Sequence, residues 1–206
     1  MQGPSSSGTE AEKPLVVVAG RSNVGKSSIV RCLTGKKVRV GKKPGSTRRE
    51  FLLDLGPLTL VDMQGFGHAE RLSKVAIEAS KRRTVASLET WGKRIAVAIL
   101  VVDVSLFKDL TDRWEARGEI PIDIEFYSFL SEICREVIIV ANKSDKLDKR
   151  NFSEAIEYLQ SKMAAAEPER RPSIVVTSSR NKTGIDELKT RIEQALSTQG
   201  FAKPAW

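Results

Sequence analysis

At 206 residues the chain is long enough for one domain with a core of its own, needing neither disulfides nor a structural metal. Its two cysteines, Cys32 and Cys134, lack a second Cys or a His at metal-ligand spacing, which excludes a disulfide framework or zinc module and suggests a reducing, cytoplasmic setting. The formal net charge of +8 leans on one stretch: Arg31, Lys36, Lys37, Arg39, Lys42, Lys43, Arg48 and Arg49 face a single acid, Glu50, so a polyanion such as RNA is a candidate partner.

In chain order, residues 1–13 are rich in Ser, Gly, Pro and charge and are expected to form a disordered leader. The first apolar, β-branched run, Leu15 to Ala19, predicts a strand, and Lys26 to Leu33 a helix. Phe51 to Leu55 and Leu58 to Val61, parted only by Gly56 and Pro57, predict a hairpin. A helix over Leu72 to Trp91 follows, then a strand over Ile95 to Val102, whose length is far short of a membrane span. Nothing in the chain predicts a membrane partner. Helices over Ile122 to Cys134, Ser153 to Met163 and Ile185 to Leu196 alternate with strands over Val137 to Ala141 and Ile174 to Thr177. Strands alternating with helices imply a three-layer, doubly wound α/β fold: a mostly parallel six-stranded sheet with one antiparallel strand from the hairpin. The expected division is a leader over 1–13, one domain over 14–198 and a tail over 199–206, in a monomer.

The segment Gly20-Arg21-Ser22-Asn23-Val24-Gly25-Lys26-Ser27 follows a strand and opens a helix, which is the context a phosphate-binding P-loop requires. Its backbone N–H groups can curl around phosphates, Lys26 can neutralise the β and γ oxygens, and the Ser27 hydroxyl can ligate Mg²⁺. After the strand at 137–141 comes Asn142-Lys143-Ser144-Asp145. A carboxylate at Asp145 can accept from guanine N1–H and the 2-amino group together, whereas adenine would leave it unpaired. Lys143 can lay its stem across the base, and Asn142 can bond the base and tie this loop to the phosphate loop. Beyond the last strand, Ser178 and the backbone N–H of Ser179 are placed to reach guanine O6. In the polar connection before the hairpin, Gly45, Ser46 and Thr47 form a loop that can close over the γ-phosphate, with the Thr47 hydroxyl completing the Mg²⁺ shell. Asp62, ending the hairpin, would hold Mg²⁺ through water, and the Gly65 N–H would sense the γ-phosphate. Lys26, Thr47 and Gly65 are the candidate catalytic group.

Together these motifs look like the small-GTPase set, and their wording resembles one family. The residues at 20–28, ending Lys26-Ser27-Ser28, with Pro-Gly-Ser-Thr at 44–47, Gly65-Phe66-Gly67 after Asp62, and Asn142-Lys143-Ser144-Asp145-Lys146, are similar to the EngB (YihA) GTPases. The segment from Arg113 to Asp123 is especially similar to archaeal members. The resemblance implies a Ras-like G domain binding GTP or GDP with Mg²⁺, a role in large ribosomal subunit assembly, with the subunit precursor or its rRNA as partner, and a part in normal division and septation. Two positions depart from the pattern. Gln64 stands where the family usually has the Pro of Asp-x-Pro-Gly, and Phe66 stands where Ras-like enzymes place a water-orienting Gln, so intrinsic GTP hydrolysis is expected to be slow. Gln64 and the lone histidine, His68, are weaker candidates for that role. Related GTPases that lack the Gln hold K⁺ with an Asn placed like Asn23, which makes K⁺ a further expected cofactor. Two other classes fit parts of the sequence: a GTP-binding scaffold for division proteins with negligible catalysis, and a P-loop metabolic kinase. The guanine-reading tetrad argues against the kinase.

Overall fold

The computed structural model describes residues 13–36, 50–66 and 74–206. Over these residues the chain forms six strands, β1 (Leu15–Ala19), β2 (Phe51–Asp54), β3 (Thr59–Asp62), β4 (Ile95–Asp103), β5 (Val137–Asn142) and β6 (Ser173–Val176). The helices are α1 (Lys26–Thr34), α2 (Lys74–Trp91), α3 (Val104–Glu115), α4 (Ile122–Ile133), α5 (Lys149–Ala166) and α6 (Ile185–Thr198). The strands join in the order β2-β3-β1-β4-β5-β6, all neighbours parallel except the β2–β3 pair. This is the doubly wound sheet with one antiparallel strand that the alternation of elements implies.

Why the central strands read as unbroken apolar runs is plain from their burial. All five residues of β1 and all nine of β4 are buried, because successive side chains enter opposite faces and both faces are covered. Val17, Ala19, Leu100, Val102 and Ile139 pack under Leu88 of α2, Phe107 of α3, Phe126 and Leu130 of α4, and Leu159 and Met163 of α5. Their alternates Val16, Val18, Ile99, Val101 and Val140 pack under Ile29, Val30 and Leu33 of α1 and Leu188, Ile192 and Leu196 of α6. The hairpin turn is tighter in name than in fact: Leu55 and Leu58 lie outside the strands, yet Leu55 N donates to Leu58 O at 3.0 Å and both side chains are buried.

One helix is absent from the sequence expectation. α3 starts directly on β4, with Asp103 as its N-cap: its carboxylate accepts from Ser105 N at 3.2 Å and Ser105 Oγ at 2.6 Å. After α6 the chain folds back rather than trailing away. Phe201 N donates to Leu196 O and Ala205 N to Leu55 O, each at 3.0 Å, and Pro204 is buried. Trp206 Nε1 donates to Glu193 Oε1 at 2.9 Å beneath the Lys189 ammonium, 5.7 Å from the ring centre, and Lys203 pairs with Glu193 at 2.9 Å. Residues 201–206 thus strap the hairpin turn to α6. Among the described residues no helix is long and apolar enough to cross a membrane.

Candidate functional site

The carboxyl ends of β1, β3, β4, β5 and β6 meet along one edge of the sheet, where open α/β folds bind ligands. Gly20 leaves β1 and begins a loop that ends at Gly25, the residue before α1. Gly25 has φ 105°, and a Cβ there would lie 2.3 Å from Asn142 Nδ2, so glycine is required both for the backbone conformation and for the contact with β5. No acidic residue occupies the first turn of α1, so its exposed N–H dipoles remain available to an anion. Ser28, in that first turn, is half-buried.

Lys26 is buried, and its ammonium donates to Arg21 O at 2.8 Å. Burial pulls its pKa down to about 8, against the opposing pull of Asp62 and Asp123. Ser27 Oγ donates to Asp62 Oδ2 at 2.5 Å, while burial raises the Asp62 carboxyl against that bond and the Lys26 charge. Asp62 Oδ1 is buried with no hydrogen-bond partner. A half-buried hydroxyl and a buried carboxylate, one oxygen of it unsatisfied, form a hard-oxygen donor pair that fits Mg²⁺, a cation that keeps much of its own water.

Gly65 sits directly on this loop. A Cβ there would come within 2.7 Å of Lys26 Nζ and 2.8 Å of Ser22 Cα. Ser22 N donates to Phe66 O at 2.9 Å, Ser22 Oγ to Gly65 O at 3.2 Å, and Arg21 and Phe66 form a parallel β-bridge. The segment after β3 is therefore stitched to residues 21 and 22. Phe66 itself points away from solvent, fully buried against Phe126 of α4 at 4.2 Å between ring centres.

The β5 end forms the other half of the cleft. Asn142 Nδ2 donates to Val24 O at 2.8 Å and to Ser179 Oγ at 3.4 Å, and its Oδ1 accepts from Thr177 Oγ1 at 3.2 Å and Ser179 N at 3.0 Å. Both amide hydrogens and the carbonyl are engaged with protein, so of the two tasks expected of Asn142 the tie between loops is the one its bonds perform. The same network engages the Ser179 N–H expected to face guanine O6. Lys143 adopts a left-handed conformation, φ 67°, and its ammonium bridges Asn23 O at 2.5 Å and Asp103 Oδ2 at 2.6 Å. Asp145 is only partly buried, and its Oδ1 accepts from Ser178 Oγ at 2.5 Å, which fixes the plane of a carboxylate that can take two adjacent donors. The Asn23 side chain is exposed, beyond a backbone at φ 66°.

Gly45, Ser46, Thr47 and His68 lie outside the described residues, as do Lys42 and Lys43. Two acidic residues of the site have no place in the sequence reading. Asp103, which anchors Lys143, is the last residue of β4 at the same sheet edge and could have been found from its place directly after the expected strand over Ile95 to Val102. Asp123 lies in the segment noted for its resemblance and at the start of the helix expected over Ile122 to Cys134, with no site role assigned to it, and it forms a largely buried ion pair with Arg21, Nε to Oδ2 3.1 Å.

Comparisons with known proteins agree with this architecture. A family model described as a 50S ribosome-binding GTPase matches residues 15–143. The probable GTP-binding protein EngB of Methanococcus maripaludis is 38% identical over 188 residues, covering 90% of this chain and 82% of the relative. That of Pyrococcus horikoshii is 41% identical over 181 residues, covering 88% and 83%. A crystal structure of a probable GTP-binding protein EngB matches with a TM-score of 0.78 at 41% identity, covering 88% of this chain and 97% of that one. With likeness of this degree running through both halves of the cleft and nearly the full length of its relatives, the chain belongs to the EngB family of GTP-binding GTPases.

Proposed function

We propose that this protein is a GTP-driven switch that acts on the precursor of the large ribosomal subunit and hydrolyses GTP slowly on its own. The observation that carries the reading is the seat of Gly65 against Lys26 and Ser22, because a backbone lodged there must feel whether a γ-phosphate is present. In this reading the N–H groups of residues 20–28 cradle the phosphates, with Lys26 on the β and γ oxygens. Gly65, Thr47 and its neighbours Gly45 and Ser46 read the γ-phosphate. Asp145, held by Ser178, accepts the guanine edge, and the Lys143 stem covers the base while Asn142 and Ser179 brace the loops. Ser27 and Thr47 would hold Mg²⁺, with Asp62 behind a water; the ion, when bound, neutralises phosphate charge.

Hydrolysis transfers the γ-phosphoryl group from the GDP oxygen to water, and that water needs orienting. Phe66 is buried under Phe126 and carries no polar group, which supports a low intrinsic rate. K⁺ held by Asn23 would supply the missing positive charge. Turnover should therefore fall by about tenfold or more when Na⁺ replaces K⁺ at constant ionic strength, and Asn23→Ala should erase the difference. Rates indifferent to the cation would refute the K⁺ role.

The ribosomal partner is supported by the description of the matching family and by the cluster of eight basic residues between 31 and 49. Participation in normal division and septation, implied by the resemblance, belongs to the same proposal. Cosedimentation with large-subunit precursors should be stronger in a non-hydrolysable GTP analogue than in GDP. Lys42→Glu with Lys43→Glu should weaken it and flatten the slope of log affinity against log salt by about 1.5. Equal sedimentation of both forms in both nucleotides would reject the ribosomal reading.

A further inference from the structure

Asp123 is the second residue of α4, on an element that carries none of the nucleotide motifs, yet its carboxylate reaches the phosphate loop. The Arg21 Nε to Asp123 Oδ2 distance is 3.1 Å, and the two side chains retain only 12% and 5% of their exposure. Asp123 Oδ1 and Arg21 Nε are both buried with no hydrogen-bond partner, so the hold between the two side chains is ionic rather than an aligned hydrogen bond. A charged pair this deep forfeits so much hydration that it is a poor device for stability, and a neutral pair of similar size would serve the core as well. What the pair does provide is a fixed position for Arg21. The Arg21 carbonyl receives the Lys26 ammonium, and the Arg21 backbone bridges to Phe66, immediately after Gly65. Phe126, one turn beyond Asp123 on the same helix face, holds the Phe66 ring. The first turns of α4 thus grip both strands of the bridge that lies next to Lys26.

We propose that Asp123 is a positioning residue for the triphosphate: acting through Arg21, it sets the phosphate loop and Gly65 in the register that a γ-phosphate requires. This rests on the reading of residues 20–28 and Gly65 as the phosphate site. A purely structural role would weaken GTP and GDP binding alike, whereas a role at the Gly65 end selectively weakens GTP.

The test measures affinities for a non-hydrolysable GTP analogue, for GDP and for an ATP analogue in wild type, Asp123→Asn, Arg21→Met and the double variant. Asp123→Asn should bind the GTP analogue about tenfold more weakly, with GDP affinity changed by less than about threefold. The double variant should match Arg21→Met, because a residue acting through Arg21 has no further effect once Arg21 is gone. Should Asp123→Asn alone fail to fold, Arg21→Met and the double variant, which leaves no unpaired charge, still carry the comparison. Equal GTP and GDP affinities relative to wild type in Asp123→Asn, or losses that multiply in the double variant, would overturn the assignment while leaving the nucleotide site intact. Wild-type binding of adenosine and guanosine nucleotides alike would instead overturn the site reading and this inference with it.

Discussion

Asp123 illustrates how much a single carboxyl can be burdened by its surroundings. Burial raises its pKa to about 6 from an ordinary 3.8; Arg21 and Lys26 pull the other way and Asp103 adds to the rise. Because the folded chain holds this proton more tightly than the unfolded chain does, stability is lost as pH climbs from about 4 to about 6 and the cost is complete above that. Asp123→Asn should remove a term on the order of 3 kcal/mol from this pH window. Urea unfolding at several values between pH 4 and pH 7 should show the variant gaining on wild type as pH rises, whatever constant offset the unpaired Arg21 imposes. Parallel curves would mean that the ionised carboxylate is not penalised. The candidate site as a whole was unequally legible. Gly20 to Ser28 and Asn142 to Asp145 announce themselves because phosphate cradling and guanine reading demand particular residue types at adjacent positions. Arg21–Asp123 and Lys143–Asp103 were not legible, because each pairs residues brought together only by the folded sheet.

Among the elements, α4 carries more than its sequence suggests. Phe126 touches both Phe66, at 4.2 Å, and Phe129, at 5.6 Å, and is almost wholly buried. Phe126→Ala would leave a cavity between this helix and the segment after β3, costing about 3–5 kcal/mol. Chemical denaturation should show a lower midpoint with an unchanged slope; a loss under 1 kcal/mol would mean that the helix collapses onto the gap. The strands were the most readable elements, since β1, β4 and β5 are buried on both faces and leave no polar interruption to confuse the period. α3 was missed although Val104, Phe107, Thr111 and Trp114 have helical spacing. Its start on Asp103 with no intervening loop hides the boundary between a strand pattern and a helical one, and the exposed Lys108, Asp109, Asp112 and Arg113 interrupt its apolar residues.

On the scale of the molecule, two cores share one sheet. The face covered by α2 to α5 stabilises the Gly65–Phe66 segment, and the face covered by α1 and α6 stabilises the phosphate-loop helix. The β2–β3 hairpin is the edge of this arrangement, and its turn is held by residues that lie far away in the chain, at Ala205 and Trp206. The three tryptophans divide between the faces: Trp91 and Trp114 pack with the first core, Trp206 with the second. An indole lying between the Glu193 carboxylate and the Lys189 ammonium feels a directed electric field, and its emission wavelength depends on that field. With Trp91 and Trp114 changed to Phe, the protein would carry a built-in optical gauge of the joint between hairpin and α6, readable in real time as nucleotides exchange and without any attached dye.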